Sequence, residues 1–370
     1  MAASNLVYRL AARTSHHDLV CATEPIPTVR DHEVLVQIRG VTLNSRDLQI
    51  ASSTYPPSIA IKDKVVPCSD SAGVVVAVGA AVDGVRVGDR VIANFALDNV
   101  YGTLKSQQYT LGGGADGTLR QYAAIPAQAI TKIPAHCDLD FVQLASLVCT
   151  GATAWNALFG LVPMRPGQTA LFMALSSKVL QHLTLLLLYL IVGTGGVSIM
   201  GLQLAKAAGA VTIITSSSDD KLEFIKEKFG VDHVINYRKT PDWAAEVERI
   251  TNGHGADYIL ETGGAGTIAQ SINAVTPGGT IAVIGYLADI KQEDMPDVAV
   301  MALVKGCVVR GVLIGSQQLT EELVRFVANK NIQPYIHKTF GFSRDEVVGA
   351  FDYLKSAQHI GKVGIEVKIE

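Results

Sequence analysis

The chain has 370 residues, 48% hydrophobic and 18% charged, with a formal net charge of −3. That length accommodates two domains of ordinary size, and the composition suits a soluble globular α/β protein with sizeable cores. The slight acidic balance gives no electrostatic footing for a nucleic-acid partner.

Five cysteines, Cys21, Cys68, Cys137, Cys149 and Cys307, lie too far apart in sequence for a metal knuckle or a redox pair. They read as free thiols of a reducing cytosol. Met1-Ala2-Ala3-Ser4 has no basic segment leading into an apolar core. No secretory signal is expected, and the reading is cytoplasmic.

Residues 1–150 are β-rich. Val34-Leu35-Val36-Gln37-Ile38 alternates apolar and polar, as a half-buried strand should. Residues 73–79 read as a strand bounded by glycines, and residues 88–93 as a turn entering a third strand. Pro56-Pro57 and Gly112-Gly113-Gly114 mark loops. Strands without regularly interleaved helices predict a partly closed barrel.

From about residue 151 the pattern changes. Gly193-Thr194-Gly195-Gly196-Val197-Ser198 follows the apolar residues 185–192 and precedes a helix-like stretch, 199–209. Strand, glycine turn and helix in that order form a dinucleotide-binding corner. Glycines let backbone N–H groups approach a pyrophosphate, and the positive helix end faces the anion. Gly193, Gly195, Gly196 and Val197 are the cradle candidates, and Ser198 stands where the last small residue is wanted. Residues 211–215 read as a second strand, 221–230 as a helix and 233–237 as a third strand. Further strands are predicted at 256–261, 280–286 and 308–314. Strands alternating with helices imply a doubly wound parallel sheet, hence an α/β fold with a Rossmann domain.

Ordered motifs then add a family resemblance. Val34-Leu35-Val36, Leu43-Asn44-Ser45-Arg46-Asp47, Ala72-Gly73-Val74-Val75 and Val87-Gly88-Asp89-Arg90-Val91 resemble the catalytic domain of medium-chain dehydrogenase/reductases. Thr150-Gly151-Ala152-Thr153-Ala154-Trp155 resembles that family's domain-joining helix, and residues 193–198 its cofactor turn. The resemblance implies a split GroES-like catalytic domain with a Rossmann domain inserted. The boundaries it suggests are residues 1–150, then 151–315 with an unusual insert at 174–192, then a return to the first domain over 316–370. The tail reads as a helix over 316–331, a strand over 336–342, a helix over 345–356 and a closing strand over 363–367.

Many relatives hold a catalytic zinc with Cys, His and Cys, and a structural zinc with four cysteines. By resemblance, Asn44, Ser69 and Ser146 fall at the three catalytic ligand positions, and residues 94–117 contain no cysteine. Amides and hydroxyls do not replace thiolate and imidazole on zinc, so no zinc is expected. A different set built on Cys68, Cys149 and a distant histidine stays open. His16-His17 reads as a solvated loop pair. Without a Lewis acid for an alkoxide, hydride delivery to an enone or quinone is the easier chemistry.

In NAD-binding Rossmann domains an acidic residue at the end of the second strand holds the ribose. By resemblance Ser216 takes that place. Ser216 and Ser217 with Lys221 favour a 2′-phosphate, and Tyr237 resembles a phosphate-contacting tyrosine of NADPH-using quinone reductases. Helix capping is the plainer role for the serines. Asp219 and Asp220 oppose a phosphate if they turn inward. NADP(H) is therefore expected rather than NAD(H). The resemblance also places Thr150, Gly264, Ile284, Gly285 and Lys362 against the cofactor.

On the substrate side, Asn44 is expected near the nicotinamide amide or the substrate carbonyl. Arg46 follows as a proton-relay candidate, or as an ion pair with Asp70. Tyr55, before Pro56, is a hydrogen-bond or proton donor candidate. No nucleophile–base pair supports a hydrolase. The reading is an NADPH-dependent oxidoreductase that delivers hydride to an enone, quinone or related carbonyl compound without zinc. An alcohol dehydrogenase of the same superfamily and a disabled nucleotide-binding homologue are the alternatives. Dimerisation through the Rossmann sheet edge is implied by the family alone.

Residues 174–192 interrupt the pattern. Two segments compete for the first Rossmann strand, 169–173 and 186–192. The glycine turn should follow that strand at once, which favours 186–192, with 174–184 a helix or loop beside it. An insert read through from untranslated sequence is a second explanation. The unbroken apolar run is about ten residues, too short to span a bilayer.

Overall fold

A computed structural model describes residues 4–173, 195–286 and 291–368. The chain divides into two compact units, Met1–Ala152 with Ile314–Glu370, and Thr153–Leu313.

In the first unit, β1 (Ser4–Leu10) and β2 (Leu19–Pro25) form an antiparallel pair. The larger sheet contains β3 (Glu33–Thr42), β4 (Asp70–Val78), β5 (Arg90–Ala93), β6 (Tyr122–Pro126), β7 (Ile130–Lys132), β14 (Ile336–Phe340) and β15 (Lys362–Glu366). Its order is β14-β15-β3-β4-β5-β7, with β6 added to β3. Strand β3 is the hub, pairing antiparallel with β4, β6 and β15. Its burial does not alternate as expected, since Val34, Leu35 and Val36 are all buried and the strand is covered on both faces, and register shifts against β4 mark irregularities in the pairing. This is the β-rich unit that the strand pattern predicted, and the return of β14 and β15 to it is the split that the family resemblance implied.

The second unit carries β8 (Thr169–Met173), β9 (Val211–Ser216), β10 (His233–Asn236), β11 (Ala256–Glu261), β12 (Val275–Val283) and β13 (Val308–Gly311). All five neighbouring pairs are parallel, and the order is β10-β9-β8-β11-β12-β13. That is the Rossmann order, with its switch point between β8 and β11. Leu171, Ile213, Ile259 and Ile281 build the core beneath the helices Trp243–Ile250 and Ile268–Ala274.

One expectation is corrected here. The central strand is Thr169–Met173, not residues 186–192, which lie outside the described residues together with 174–184. All five residues of β8 are buried, as a strand covered on both faces requires. The Met173 carbonyl accepts from Ser198 Oγ at 2.6 Å and from Thr262 Oγ1 at 3.2 Å.

The helix Gly196–Ala207 packs closely on this strand because Gly201 lacks a side chain. A Cβ there would sit 2.8 Å from both Phe172 Cε1 and Leu260 Cδ2. Gly201→Val is therefore expected to destabilise the protein by about 1–3 kcal/mol through overpacking. Urea denaturation checks it, and an unchanged midpoint would contradict the close contact.

Candidate active site

Two groups of side chains carry chemistry, one in each unit. In the first unit, β3 ends at Thr42, and Asn44 precedes the helix Ser45–Ala51. The Asn44 N–H donates to Asp47 Oδ2 at 2.8 Å, which closes the first turn. Antiparallel pairing of β15 with β3 brings Lys362 to this corner, where the Leu43 N–H donates to the Val363 carbonyl at 3.0 Å.

Lys362 Nζ donates to the Leu43 carbonyl at 2.8 Å, to Asn44 Oδ1 at 2.8 Å and to Asp70 Oδ2 at 3.2 Å. Its side chain is 6% exposed and that of Asp70 is 0% exposed. An ammonium has three donors, so all are committed. Thr42 Oγ1 and Ser69 Oγ also donate to Asp70, at 3.1 and 2.8 Å. Lys362, expected beside the nicotinamide end, is thus turned into the protein. Asn44 Nδ2 is buried and has no hydrogen-bond partner among the described residues.

Arg46 does not pair with Asp70, which corrects that alternative. Its Nη1 donates to the Leu111 carbonyl at 2.8 Å and its Nη2 to Thr110 Oγ1 at 3.1 Å. The guanidinium lies 4.7 Å from the Phe95 ring centre and 5.4 Å from that of Tyr55. A Cβ on Gly113 would reach within 2.2 Å of Arg46 Nη2, so the triple-glycine loop is shaped by this arginine. The Tyr55 hydroxyl donates to Gln107 Oε1 at 3.0 Å. The structure therefore gathers Asn44 with Lys362, and Arg46 with Tyr55. Thr150 is buried in a π-helical turn, Leu147–Gly151, and its hydroxyl donates to the Ser146 carbonyl at 2.8 Å.

In the second unit, the carboxyl ends of the strands form a second group. Gly195 caps the helix Gly196–Ala207, and Val197 is in its first turn. Gly193 lies outside the described residues. Ser216 ends β9 and is 1% exposed. The Tyr237 N–H donates to the Ser216 carbonyl at 3.1 Å, so β10 ends beside it. Helix capping falls on Ser218, whose side chain accepts from the Lys221 N–H, rather than on Ser216 or Ser217. Burial holds the Lys221 ammonium pKa below its ordinary value. Asp219 is drawn aside: Lys239 Nζ lies 2.7 Å from Oδ2, and Asn236 Nδ2 donates to Oδ1 at 2.7 Å.

Glu261, at the end of β11, was not singled out by the sequence. It is fully buried and accepts from the N–H groups of Gly263 and Gly264 at 2.6 and 3.0 Å. Thr267 Oγ1 donates to it at 2.7 Å, and the Ser271 hydroxyl donates to its other oxygen. Burial raises its pKa against the pull of these donors. The turn it holds has Gly264 at φ +75°, where a Cβ would lie 2.9 Å from Tyr286 Cα. A Cβ on Gly285 would lie 2.6 Å from the Thr262 carbonyl oxygen. A bare-backbone strand edge, a helix N-terminus and a buried hydroxyl after the second strand fit a dinucleotide.

Comparison with known proteins then decides the family. Residues 30–135 match the alcohol dehydrogenase GroES-like domain, and residues 196–329 match the zinc-binding dehydrogenase family. A zinc-type alcohol dehydrogenase-like protein of Schizosaccharomyces pombe is 37% identical over 340 residues, covering 90% of this chain and 91% of that one. The chain belongs to the medium-chain dehydrogenase/reductase superfamily. An alcohol dehydrogenase of Geobacillus stearothermophilus is 26% identical over 355 residues, covering 92% of this chain and 94% of that protein. A crystal structure of a provisionally assigned alcohol dehydrogenase from Sinorhizobium meliloti 1021 superposes with a TM-score of 0.84 at 34% identity, covering 99% of both chains. That of an NAD-dependent alcohol dehydrogenase gives 0.82 at 27% identity, covering 98% of this chain and 100% of the other. This medium-chain dehydrogenase/reductase is accordingly a nicotinamide-dependent oxidoreductase acting on small molecules.

The zinc that the family name implies does not fit the residues present. Asn44 Oδ1 is bound to an ammonium, Ser69 Oγ donates to Asp70, and Ser146 Oγ donates to the Gln143 carbonyl at 2.6 Å. Burial pushes up the thiols of Cys68 and Cys149, the two cysteines of the alternative set. Among the described residues, the group of three close metal-type donors is His16, His17 and Asp352. His16 is not a solvated loop residue: it is buried, stacked on Phe351 and 2.7 Å from Asp352 Oδ1.

Asp47 supplies a pH test. Burial pushes its carboxyl up to about 6, against the charge of Arg46 and the Asn44 N–H. A folded pKa above the unfolded value near 3.9 means stability from this group is whole below about pH 4 and lost as pH rises through about 6. Asp47→Asn keeps an acceptor for the Asn44 N–H. Its stability relative to the parent is expected to climb by up to about 3 kcal/mol from pH 4 to 7, then level off. Thermal melts across that range check it, and a pH-independent gap would contradict the raised pKa.

Proposed function

We propose that the protein is an NADPH-dependent reductase that delivers hydride to an enone, quinone or related carbonyl compound without a metal. The observation that carries this is the Lys362 ammonium on Asn44 Oδ1, where a zinc-dependent relative would need a thiolate. The reduced nicotinamide, when bound, supplies the hydride. An enolate or hydroquinone oxygen then gathers delocalised negative charge, which hydrogen-bond donors can stabilise. Asn44 Nδ2 is the donor in this reading, and Tyr55 is a proton source through its hydroxyl. Arg46, packed beside Tyr55, supports that loop and keeps its ring in place.

NADPH is favoured over NADH by the environment of the second strand's end. A buried hydroxyl stands at Ser216 in place of a carboxylate, and Ser217, Lys221 and Tyr237 flank it in sequence or register. Asp219, one of the two carboxylates that would oppose a phosphate, is paired with Lys239 and accepts from Asn236. Gly195, Gly196 and Val197 would meet the pyrophosphate, with Gly264, Ile284 and Gly285 along the same edge.

A second copy of the chain is the proposed partner. Strand β13 is the sheet's end strand, and Val300, Leu303, Val304 and Val308 near it are exposed, Leu303 and Val304 by 80% and 81%. The five free cysteines accord with a cytoplasmic setting. The alternative is an alcohol dehydrogenase reaction, supported by the similar alcohol dehydrogenase of Geobacillus stearothermophilus and the similar NAD-dependent alcohol dehydrogenase.

Absorbance at 340 nm tests the reaction with enones, quinones and, in reverse, alcohols. Reduction of an enone or quinone at an undiminished rate after chelator treatment is expected. About one tightly held zinc per chain, with activity lost on its removal, would transfer the protein to the alcohol dehydrogenase reading. Calorimetry tests the coenzyme. NADPH should bind at least about tenfold more tightly than NADH, roughly 1.4 kcal/mol. Ser216→Asp should reverse that order, and equal affinities in the parent protein would end the case for NADPH.

A further inference from the structure

We propose that Lys362 is a positioning residue: its ammonium grips the oxygen of the Asn44 amide so that the amide nitrogen faces the substrate oxygen. This rests on the reading of Asn44 as the carbonyl-facing donor and adds what orients it.

The geometry is one-directional. Asn44 Oδ1 accepts from Lys362 Nζ at 2.8 Å. Rotating the amide by half a turn would set its NH2 donors against an ammonium that has nothing to accept with. The flip is thus forbidden by chemistry, and Nδ2 is the end of the amide turned away from the lysine. That nitrogen is buried and has no hydrogen-bond partner among the described residues. An amide donor rarely stays buried and unpartnered unless something else completes it. A carbonyl or enolate oxygen is the chemical class that would.

The ammonium itself is not the donor to substrate. Its three N–H bonds go to the Leu43 carbonyl, Asn44 and Asp70. Asp70 is in turn held by Thr42 and Ser69. Backbone pairing fixes both ends, since Lys362 opens β15 and Leu43 follows β3, with Gly364 opposite Thr42. Lys362 therefore cannot drift without breaking a fully buried ion pair. No covalent step involves the lysine. It sets a direction, and Asn44 makes the contact.

The test must separate aim from stability. Lys362→Met alone strands a buried carboxylate and can unfold the unit, so the working variant is Lys362→Met with Asp70→Asn, which removes both charges together. With an enone that the parent reduces, Asn44→Ala is expected to lower kcat by about 10²-fold, the usual effect of losing one preorganised donor. The Lys362→Met/Asp70→Asn variant should lower kcat at least about tenfold, with the KM for NADPH unchanged. Added to Asn44→Ala, the same pair should cost nothing more, because the lysine acts only through that amide. A further loss in the Asn44→Ala background would overturn the proposal. An unaltered kcat in Asn44→Ala would instead remove the underlying reading of Asn44.

A readout without turnover covers a parent that reduces no substrate tried. With 15N-labelled asparagine, the Asn44 side-chain NH2 pair should show two well-separated proton shifts in the parent. In the Lys362→Met/Asp70→Asn variant they should move toward free-amide values. Unmoved shifts in a folded variant would overturn the proposal whatever the kinetics.

Discussion

The first unit is arranged around a charge pair with no water to share. Lys362 and Asp70 sit on β15 and β4, separated by β3 in the sheet. Such a pair is expensive to bury and survives only when every remaining donor and acceptor is matched. Here Leu43, Asn44, Thr42 and Ser69 do that matching. The pair is therefore weak as a source of stability and strong as a source of shape. It tells three neighbouring strands where to stop relative to one another, and it forces one amide to face one way.

The second unit solves the same problem with a carboxylate and no cation. Glu261 is surrounded by two backbone N–H groups and two hydroxyls, and they hold the turn after β11 in a path only glycine at position 264 allows. A neighbouring turn at Gly285 then comes close enough that its missing Cβ matters. Bare backbone at a strand edge is what a flat, charged coenzyme can approach. The two units thus use buried polar networks for opposite ends, one to aim a side chain and one to clear side chains away.

Much of this was legible in the residues. The alternation from residue 211 onward gave the strands of the parallel sheet to within a few residues, because buried parallel strands are apolar and short. The helix predicted over 316–331 spans Gln317–Lys330, with Ser316 and left-handed Asn331 as its caps. The first Rossmann strand was misassigned because local sequence cannot say which apolar run a distant strand will choose. Only the pairing of Thr169–Met173 with β9 and β11 settles it. The role of Lys362 was hidden for the same reason. Its partners are some 290 to 320 residues away, and the resemblance pointed the lysine toward the cofactor, not toward Asn44. Glu261 had a faint signal, an acid ending an otherwise apolar strand. Gly201 had another, a glycine on the buried face of a helix.

The first and last stretches of the chain are strapped together. The Tyr8 hydroxyl donates to the Phe342 carbonyl at 2.6 Å, His16 meets Asp352, and Arg344 donates to the carbonyls of His17 and Leu19. Strand β15 closes on β3, whose residues are made more than 300 positions earlier. A ribosome therefore releases the contiguous nucleotide unit, Thr153–Leu313, able to fold while the other half still waits for its final strand. During that interval an edge of β3 stands open. Birth order thus makes the barrel the vulnerable half of the molecule, and the coenzyme unit the half that matures first.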